Sequence, residues 1–239
     1  MMTRRRWIAD EASGNQAVLS GAHADHLIRV LRVRAGQEFD IVANGVVHLG
    51  RVSSIGDNRV EFELAEEIHS ESSALHLTLL LAIFKFDRME WAIEKATELG
   101  ISRLIPVIAR RTDTHLASAA EKRVERWRRI AVQASEQSRR AASPEVTGPV
   151  PLREAMQVPG VVKIVLSEAE QKISLAEALG AHRTTTDIAL AIGPEGGWAQ
   201  EELDLFHKEG WLAVSLGPTI LRTETAAIAA IAITMSHVS

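Results

Sequence analysis

Two glycine-containing stretches near the carboxyl end of the sequence have the composition of ligand-binding loops. Gly193 to Gly197 (GPEGG) directly follows the apolar run DIALAI, and Leu216 to Thr223 (LGPTILRT) overlaps the end of WLAVSL. Glycine permits positive φ angles and a close approach of the backbone to a ligand. Neither stretch has the GxGxxG or GxxxxGK[ST] pattern, so the phosphate-binding loops of dinucleotide and P-loop sites are missing. GPEGG taken alone is also compatible with an ordinary tight turn.

Both stretches are expected at one edge of a parallel sheet. Each follows a strand-like run, and α/β folds bind ligands beyond the carboxyl ends of their strands. Backbone amides and carbonyls of the two loops could then surround one ligand, with apolar walls from Leu216, Ile220 and Leu221. A flat, neutral group such as adenine suits such walls better than a triphosphate does.

The elements that must position these loops are predicted between residues 75 and 239. Five strand-like runs alternate with helical segments, which indicates a mostly parallel α/β sheet. Asp87 to Glu90 has capping-box form and opens a helix that stops at Gly100, and Ser174 to Glu177 caps a short one. A long helix is expected from Ala119 to about Ala142, and an Ala-rich helix from Thr223 to His237.

Residues 1–70 are predicted to form a separate small β-barrel with one helix. The turn signal Asn44-Gly45 separates two alternating runs, and RVEFEL is a third. AHADHLIRVLRV has the pattern of an amphipathic helix with Leu27, Val30 and Leu31 inward. The polar stretch HSESSA (69–74) is the expected linker to the second domain.

Composition limits the class of protein. The chain has 239 residues and no cysteine, which excludes disulfides, zinc-thiolate sites and thiol nucleophiles. Residues 85–140 contain thirteen Lys or Arg against eight acidic residues, whereas residues 161–239 contain five against ten. This asymmetry favours a polyanion-binding surface in the first part, although solvated helix faces would give the same counts. The N-terminus MMTRRRWIADEAS has no apolar core, so secretion and a membrane location are not expected.

Several segments together resemble a known family. The pair GPEGG and LGPTILRTETAA closely resembles the signature of the RsmE family, the 16S rRNA uracil-N3 methyltransferases of the SPOUT superfamily. Further similar segments run along the chain, namely HLIRVLR (26–32), MEWAIEKATELGI (89–101), ARR (109–111) and ASEQSRRAASPEV (134–146). The resemblance covers both predicted domains in the same order.

The resemblance implies a fold, a cofactor and an assembly. It implies a PUA-like RNA-binding β-barrel at 1–70 and, at 75–239, an α/β methyltransferase domain with a deep trefoil knot. S-adenosylmethionine would lie in three loops, and two subunits would pair as a homodimer. The implied cofactor residues are Leu166, Ser167, Glu168, Gly193, Pro194, Glu195, Gly196, Gly197, Leu216, Gly217, Ile220, Leu221, Arg222 and Thr223.

The implied reaction is transfer of a methyl group to N3 of a uridine in the decoding region of 16S rRNA, in the 30S subunit and in the cytoplasm. Arg222 could bind a uracil carbonyl and stabilise charge as N3 loses its proton, or it could pair with Glu195 or Glu224. Glu224 is a candidate proton acceptor, or it simply favours the positive end of the helix dipole. The chain has no tyrosine to act as a base or a stacking platform.

The remaining candidates concern RNA. Gln133, Gln137 and Arg140 have i, i+4, i+7 spacing, so Gln137 and Arg140 could read a flipped uracil from one helix face, unless that face is merely solvated. Candidate phosphate contacts are Arg29, Arg32, Lys85 and Arg111, each of which could also be an ordinary surface charge. His23 and His26 lack the partners of a metal site, and no metal is expected.

Two alternatives stay open at this point. One is a SPOUT enzyme acting on another RNA, such as tRNA ribose 2′-O methylation. The other is a non-catalytic RNA-binding protein that keeps a degenerate knot.

Overall fold

A computed structural model describes residues 6–68, 75–159, 162–170, 172–182 and 185–238. The predicted linker at 69–74 lies outside the described residues. The chain forms two compact units, one comprising Met1–Ser72 with Ser135–Ala142 and the other Ser73–Ala134 with Ser143–Ser239. A short segment far along the sequence is therefore packed within the first unit.

The first unit is built on a curled six-stranded sheet. The strands are β1 (Arg6–Ile8), β2 (Glu11–Ser13), β3 (Gln16–Ser20), β4 (Glu38–Ala43), β5 (Val46–Ile55) and β6 (Arg59–Glu67), in the order β1-β4-β5-β6-β3-β2. Because β1 and β2 are consecutive in the chain, the segment Arg6–Ser13 pairs with β4 through β1 and with β3 through β2, which curls the sheet on itself. The predicted hairpin is confirmed: Asn44 and Gly45 have φ angles of 51° and 80°, and a two-residue type I′ turn needs both to be positive.

The predicted amphipathic helix is only partly confirmed. Helix α1 (Gly21–Asp25) runs into a π-helical turn at His26–Val30, in which each backbone bond spans five residues instead of four. The wider turn changes which side chains face the core: Leu27 is buried as expected, but Val30 is 65% exposed. The inward assignment of Val30 is therefore wrong. Arg32 lies beyond the turn with a φ of 50°, so Arg29 and Arg32 do not share a regular helix face.

The second unit is built on a seven-stranded sheet. Its larger strands are β7 (His76–Ala82), β8 (Arg103–Ile108), β11 (Val162–Leu166), β12 (Asp187–Ile192) and β13 (Leu212–Val214), with the short β9 (Glu145–Val146) and β10 (Val150–Pro151) both pairing with β8. The order is β10-β8-β7-β12-β11-β13, and every pairing within the described part of this sheet is parallel. The predicted parallel α/β sheet is confirmed.

Helices cover the sheet. They are α2 (Phe86–Leu99), α3 (Thr114–Ala119), α4 (Val124–Gln137), α5 (Leu152–Ala155), α6 (Leu175–Gly180), α7 (Gln200–Lys208) and α8 (Thr223–Val238). Apolar side chains of β7, β12, α2 and α8 share one core, in which Leu79, Ile93, Leu190 and Ile231 are fully buried. Burial of this apolar surface is the main force that fixes the strand ends and thereby the loops that follow them.

Two helix predictions need correction. The residue before α2 is Lys85, so Asp87 lies inside the first turn and does not cap it; Asp87 can still favour the positive helix end. The expected long helix from Ala119 to about Ala142 is shorter at both ends, with α4 covering only Val124–Gln137. α3, capped by Asp113, leads through a 3₁₀ turn into α4, which ends at Gln137. Arg139 then has a φ of 58°, which an α-helix cannot accommodate.

Candidate active site

Three loops of the second unit form one cleft of about 1190 Å³. They follow β12, β11 and β13, which are adjacent in the sheet with β11 in the middle. All fourteen residues predicted for the cofactor line this cleft, as do Arg88 and Arg111. The volume slightly exceeds the range of roughly 300–1,000 Å³ typical of small-molecule sites, as expected of a cleft that stays open at one side.

The β12 loop is a tight turn stabilised from two sides. Gly197 N–H donates to the Pro194 carbonyl at 2.8 Å, and Gly197 is the residue of this loop with a positive φ, 68°. A Cβ at Gly193 would lie 3.3 Å from the indole of Trp198, so a side chain there would displace that ring. Gly196 has no unusual φ, and Arg111 donates to its carbonyl at 2.5 Å. Only Gly197 therefore needs glycine for its φ angle.

A buried carboxylate fastens the same loop to the end of β8. Glu202, in the first turn of α7, is 9% exposed and accepts from Ala199 N–H and from Arg110 N–H, each at 2.8 Å. Hydrogen bonds to a charged acceptor are stronger than neutral ones, so Glu202 fixes the position of the β12 loop relative to the end of β8. The pattern of a Glu three residues into a helix predicts the bond to Ala199. The bond to Arg110 has no sequence signal.

The β11 loop is tied to the β13 loop through the start of α6. Ser174 caps α6, as predicted, in a capping box with Glu177. The hydrogen bonds from Ser174 hold the pKa of the Glu177 carboxyl below its ordinary value. Ser215 N–H donates to the Ile173 carbonyl at 2.9 Å, and Leu175 N–H donates to the Ser215 carbonyl at 3.0 Å. These bonds place the walls of the cleft against each other.

The β13 loop is the most open wall. Gly217 is exposed with a φ of 121°, and a Cβ there would meet nothing within 4 Å. Ile220 is 82% exposed, whereas Leu216 and Leu221 are half-buried. An isoleucine that lines a cleft yet faces water would be covered when an apolar ligand surface binds, because burying apolar area is favourable.

The charged residues of this wall differ in their surroundings. Arg222 is exposed, and its guanidinium has no ion pair among the described residues; the alternative pairing with Glu195 or Glu224 is not observed there. Glu224 is 6% exposed and pairs instead with Arg88, with Nη1 and Oε1 3.5 Å apart. Arg88 lines the cleft, but a lone arginine in a predicted helix gives no signal of this role.

The predicted RNA contacts lie in both units. Arg29 is exposed and forms an i, i+4 ion pair with Asp25 at 3.3 Å, and Arg32 is exposed. In the second unit, Lys85 is exposed at the carboxyl end of β7, whereas Arg111 is engaged with the β12 loop. Their contact with phosphate stays a prediction, and for Arg111 a second role in shaping the cleft is now visible.

Gln137 and Arg140 lie in the segment that packs within the first unit. Gln137 is the exposed last residue of α4, and Arg140 lies beyond the helix, so the predicted i, i+4, i+7 face with Gln133 is wrong for Arg140. Burial lowers the pKa of Arg140 below its ordinary value. The contact of both residues with a target base stays a prediction.

The neighbouring Glu136 explains how this segment is held. Its carboxylate lies 3.4 Å from His23 Nε2, and His23 Nδ1 lies 3.5 Å from Asp10. Burial raises the pKa of Glu136, against the opposing effect of His23.

The described residues contain no group of three or more side chains arranged to hold a metal ion, and none of their helices is long and apolar enough to cross a membrane.

Each of the two units matches a known protein family. Residues 71–235 match the RNA methyltransferase domain, and residues 19–65 match the RNA methyltransferase PUA domain. A parallel sheet with three loops around one cleft, preceded by a curled sheet of the PUA type, thus defines an RNA methyltransferase.

Comparison with individual proteins identifies the family within this class. The chain is 30% identical to ribosomal RNA small subunit methyltransferase E of Rickettsia conorii, over 92% of this chain and 90% of that protein. It is 32% identical to the protein of that name from Mycobacterium bovis, over 92% of this chain and 86% of the relative. The chain belongs to the ribosomal RNA small subunit methyltransferase E family.

Solved structures of similar fold include members of the same class of enzyme. The enzyme of this family from Neisseria gonorrhoeae, bound to S-adenosyl methionine, has a TM-score of 0.85 and 32% identity, with 98% of each chain covered. A putative methyltransferase of Legionella pneumophila, in complex with the same cofactor, has a TM-score of 0.86 and 29% identity, also with 98% of each chain covered.

Proposed function

We propose that this protein transfers a methyl group from S-adenosylmethionine to N3 of a uridine in the decoding region of 16S rRNA. The observation that carries the proposal is the single cleft formed by the loops after β12, β11 and β13. Membership of the family and the two cofactor-bound structures of similar fold support the choice of cofactor and RNA.

The cleft fits the cofactor chemically. Leu166, Leu216 and the exposed Ile220 offer apolar walls for the adenine, and the loop glycines leave backbone groups open to its polar edge. The buried indole N–H of Trp198, beside Gly193, has no hydrogen-bond partner among the described residues. Trp198 lines the cleft, where a ligand can supply the missing acceptor, although the indoles of Trp127 and Trp211, which do not line it, are unpartnered in the described structure as well.

The residues of the chain then have distinct tasks. The bound cofactor supplies a methyl group activated for direct in-line transfer. The three loops hold the donor and exclude water, which raises the effective concentration of the reacting groups. Arg222, exposed at the cleft and without an ion pair in the described structure, donates to a uracil carbonyl and stabilises the charge that develops as N3 loses its proton.

RNA binding is assigned to the first unit and to the basic side chains. Residues 1–70 form the PUA-like barrel, with Arg29 and Arg32 contacting phosphate, and residues 75–239 form the methyltransferase domain, with Lys85 and Arg111 as further contacts. Gln137 and Arg140 read the target base. The packing of Ser135–Ala142 within the first unit supports a link between RNA binding and base recognition.

The proposal includes a deep trefoil knot, a homodimer and a cytoplasmic location. The return of α8 from the edge strand β13 to pack on α2, which follows the central strand β7, supports a threaded topology. The Ala-rich α8 is apolar around much of its circumference and needs burial on several sides, which supports a dimer.

One experiment tests the reaction. The protein is incubated with labelled S-adenosylmethionine and unmodified 30S subunits, and the methylated nucleotide and atom are then mapped. We expect label at uracil N3 of one 16S rRNA position. A parallel reaction contains tRNA in place of 30S subunits, and label on the tRNA ribose would make tRNA the substrate instead of 16S rRNA. Cofactor binding that is absent altogether would leave a non-catalytic RNA-binding protein.

A further inference from the structure

The ion pair between Arg88 and Glu224 joins the first turns of two helices at the cleft. Nη1 of Arg88 lies 3.5 Å from Oε1 of Glu224, and the two side chains are 35% and 8% exposed. Arg88 lines the cleft, whereas Glu224 lies behind it. One member of the pair therefore faces the ligand space and the other is buried.

The buried member is incompletely satisfied. Oε2 of Glu224 is buried and has no hydrogen-bond partner among the described residues, although the positive end of α8 favours its charge. Removing a carboxylate from water is unfavourable unless the group is paired. The helices α2 and α8 already pack through apolar residues such as Ile93, Ala227 and Ile231. A costly ion pair is therefore not needed to hold them together.

The pair does fix a guanidinium at the cleft. Arg88 makes no other side-chain hydrogen bond or ion pair within the described structure and lines the cleft, so most of its five N–H donors are not engaged by the described residues. Of the other cleft guanidiniums, Arg111 is engaged with the carbonyl of Gly196, and Arg222 is exposed with no ion pair in the described part of the chain. A donor held in advance costs no reorganisation when the ligand binds.

We propose that Arg88, oriented by the buried Glu224, binds an anionic oxygen of a ligand in the cleft. This rests on the proposed function, which supplies two sources of that oxygen: the carboxylate of S-adenosylmethionine or a phosphate of the RNA strand. Guanidinium forks suit both groups. Glu224 is then a positioning residue that acts through Arg88, not the group that accepts the N3 proton.

The test measures each ligand separately. Arg88→Ala, Arg88→Lys and Glu224→Gln are compared by calorimetry with S-adenosylmethionine alone, and by RNA affinity on unmodified 30S subunits. We expect Arg88→Ala to weaken one of these affinities by roughly 10-fold or more, as for loss of a charge-assisted pair. Arg88→Lys should restore part of it, because the charge remains but the fork is lost. A change in cofactor affinity identifies the carboxylate, and a change confined to RNA identifies the phosphate.

Arg126→Ala is the matched control. Arg126 pairs with Glu90 of α2 at 2.7 Å and does not line the cleft, so this variant removes another ion pair of the same helix. We expect its cofactor affinity to be unchanged, and its RNA affinity to fall by no more than the loss of one exposed surface charge produces. If Arg88→Ala changes neither affinity, or no more than Arg126→Ala does, Arg88 is only a structural tie and the proposal fails.

The double variant Arg88→Ala/Glu224→Gln tests positioning. If Glu224 acts through Arg88, adding Glu224→Gln to Arg88→Ala leaves the affinities and the single-turnover methylation rate unchanged. A further loss of rate in the double variant, with an altered pH profile, would instead assign Glu224 to proton transfer and overturn its positioning role. The two Arg88 variants decide the ligand contact even where Glu224→Gln does not fold. Failure of the wild-type protein to bind the cofactor or methylate RNA would be a failure of the proposed function itself.

Discussion

Replacing Gly217 by alanine isolates the contribution of backbone conformation to cofactor binding. Its φ of 121° belongs to a region that alanine disfavours, and the added methyl group would meet nothing within 4 Å. The cost is therefore conformational, of order 1–3 kcal/mol. Gly217 lies in an exposed loop, so the free protein can relax and avoid much of that cost. The binding-competent loop cannot, and the cost appears in the dissociation constant.

The expected result is a 5- to 150-fold weaker affinity for S-adenosylmethionine by calorimetry, roughly the range that 1–3 kcal/mol corresponds to. The melting temperature should change little. Gly210→Ala is the matched control, because Gly210 also has a positive φ, 76°, and an open Cβ position but lies in the turn after α7, outside the cleft. Its turn is fixed by hydrogen bonds to His207 and Phe206, so it should lose about 2–4 °C of melting temperature per kcal/mol and keep its affinity. Wild-type affinity in Gly217→Ala would refute the assignment of this loop to the cofactor.

Three further outcomes are expected. Arg29→Ala and Arg32→Ala should weaken RNA binding and reduce its salt dependence, because phosphate contacts release counterions. Arg222→Ala should instead bind RNA normally and methylate it about 100-fold more slowly. A wild-type methylation rate in this variant would make Arg222 a structural residue. Sedimentation at micromolar concentration should give a dimer, and a monomer would contradict the role given to α8. Glu177→Gln should remove a stabilising effect that is present at neutral pH and lost as the pH falls through the lowered pKa of Glu177. The free energies of unfolding of the two proteins, measured with denaturant, should therefore converge once the pH is below that pKa. Equal stability of the two proteins at neutral pH would exclude that effect.

Local signals in the sequence predicted the local structure well. The Asn44-Gly45 turn, the capping box at Ser174 and the parallel strands of the second unit all follow from short-range conformational preferences and hydrophobic patterning. The three cleft loops were predicted from two glycine stretches together with the family resemblance. These features depend on residues close together in the chain, where backbone preference and side-chain pattern agree.

The errors arose where distant contacts or helix geometry decide. The π-helical turn at His26–Val30 exposes Val30, and its sequence fits an ordinary amphipathic helix equally well. The chain leaves the helical pattern only after Gln137, where Arg139 adopts a positive φ, and Glu136 in the last turn of α4 pairs with His23. The strands β1, β2 and β3 were not predicted, since β1 and β2 have only three residues each and all three strands depend on pairing with β4, with each other or with β6. Tertiary contacts override local propensity in each case.

The order of strands in the sheet explains why a ligand that contacts both glycine loops also meets the loop after β11. The β12 and β13 loops are consecutive glycine loops in the sequence, but β11 lies between their strands. A ligand that touches both must therefore cross the end of β11, where Leu166 and Ser167 begin the third loop. That loop is held by Ser174 and by the bonds between Ile173, Leu175 and Ser215, so its position depends on the β13 loop. Ser174 and Glu177 themselves line the cleft, although neither belongs to a glycine loop, so loss of the capping box should disturb cofactor binding as well as α6.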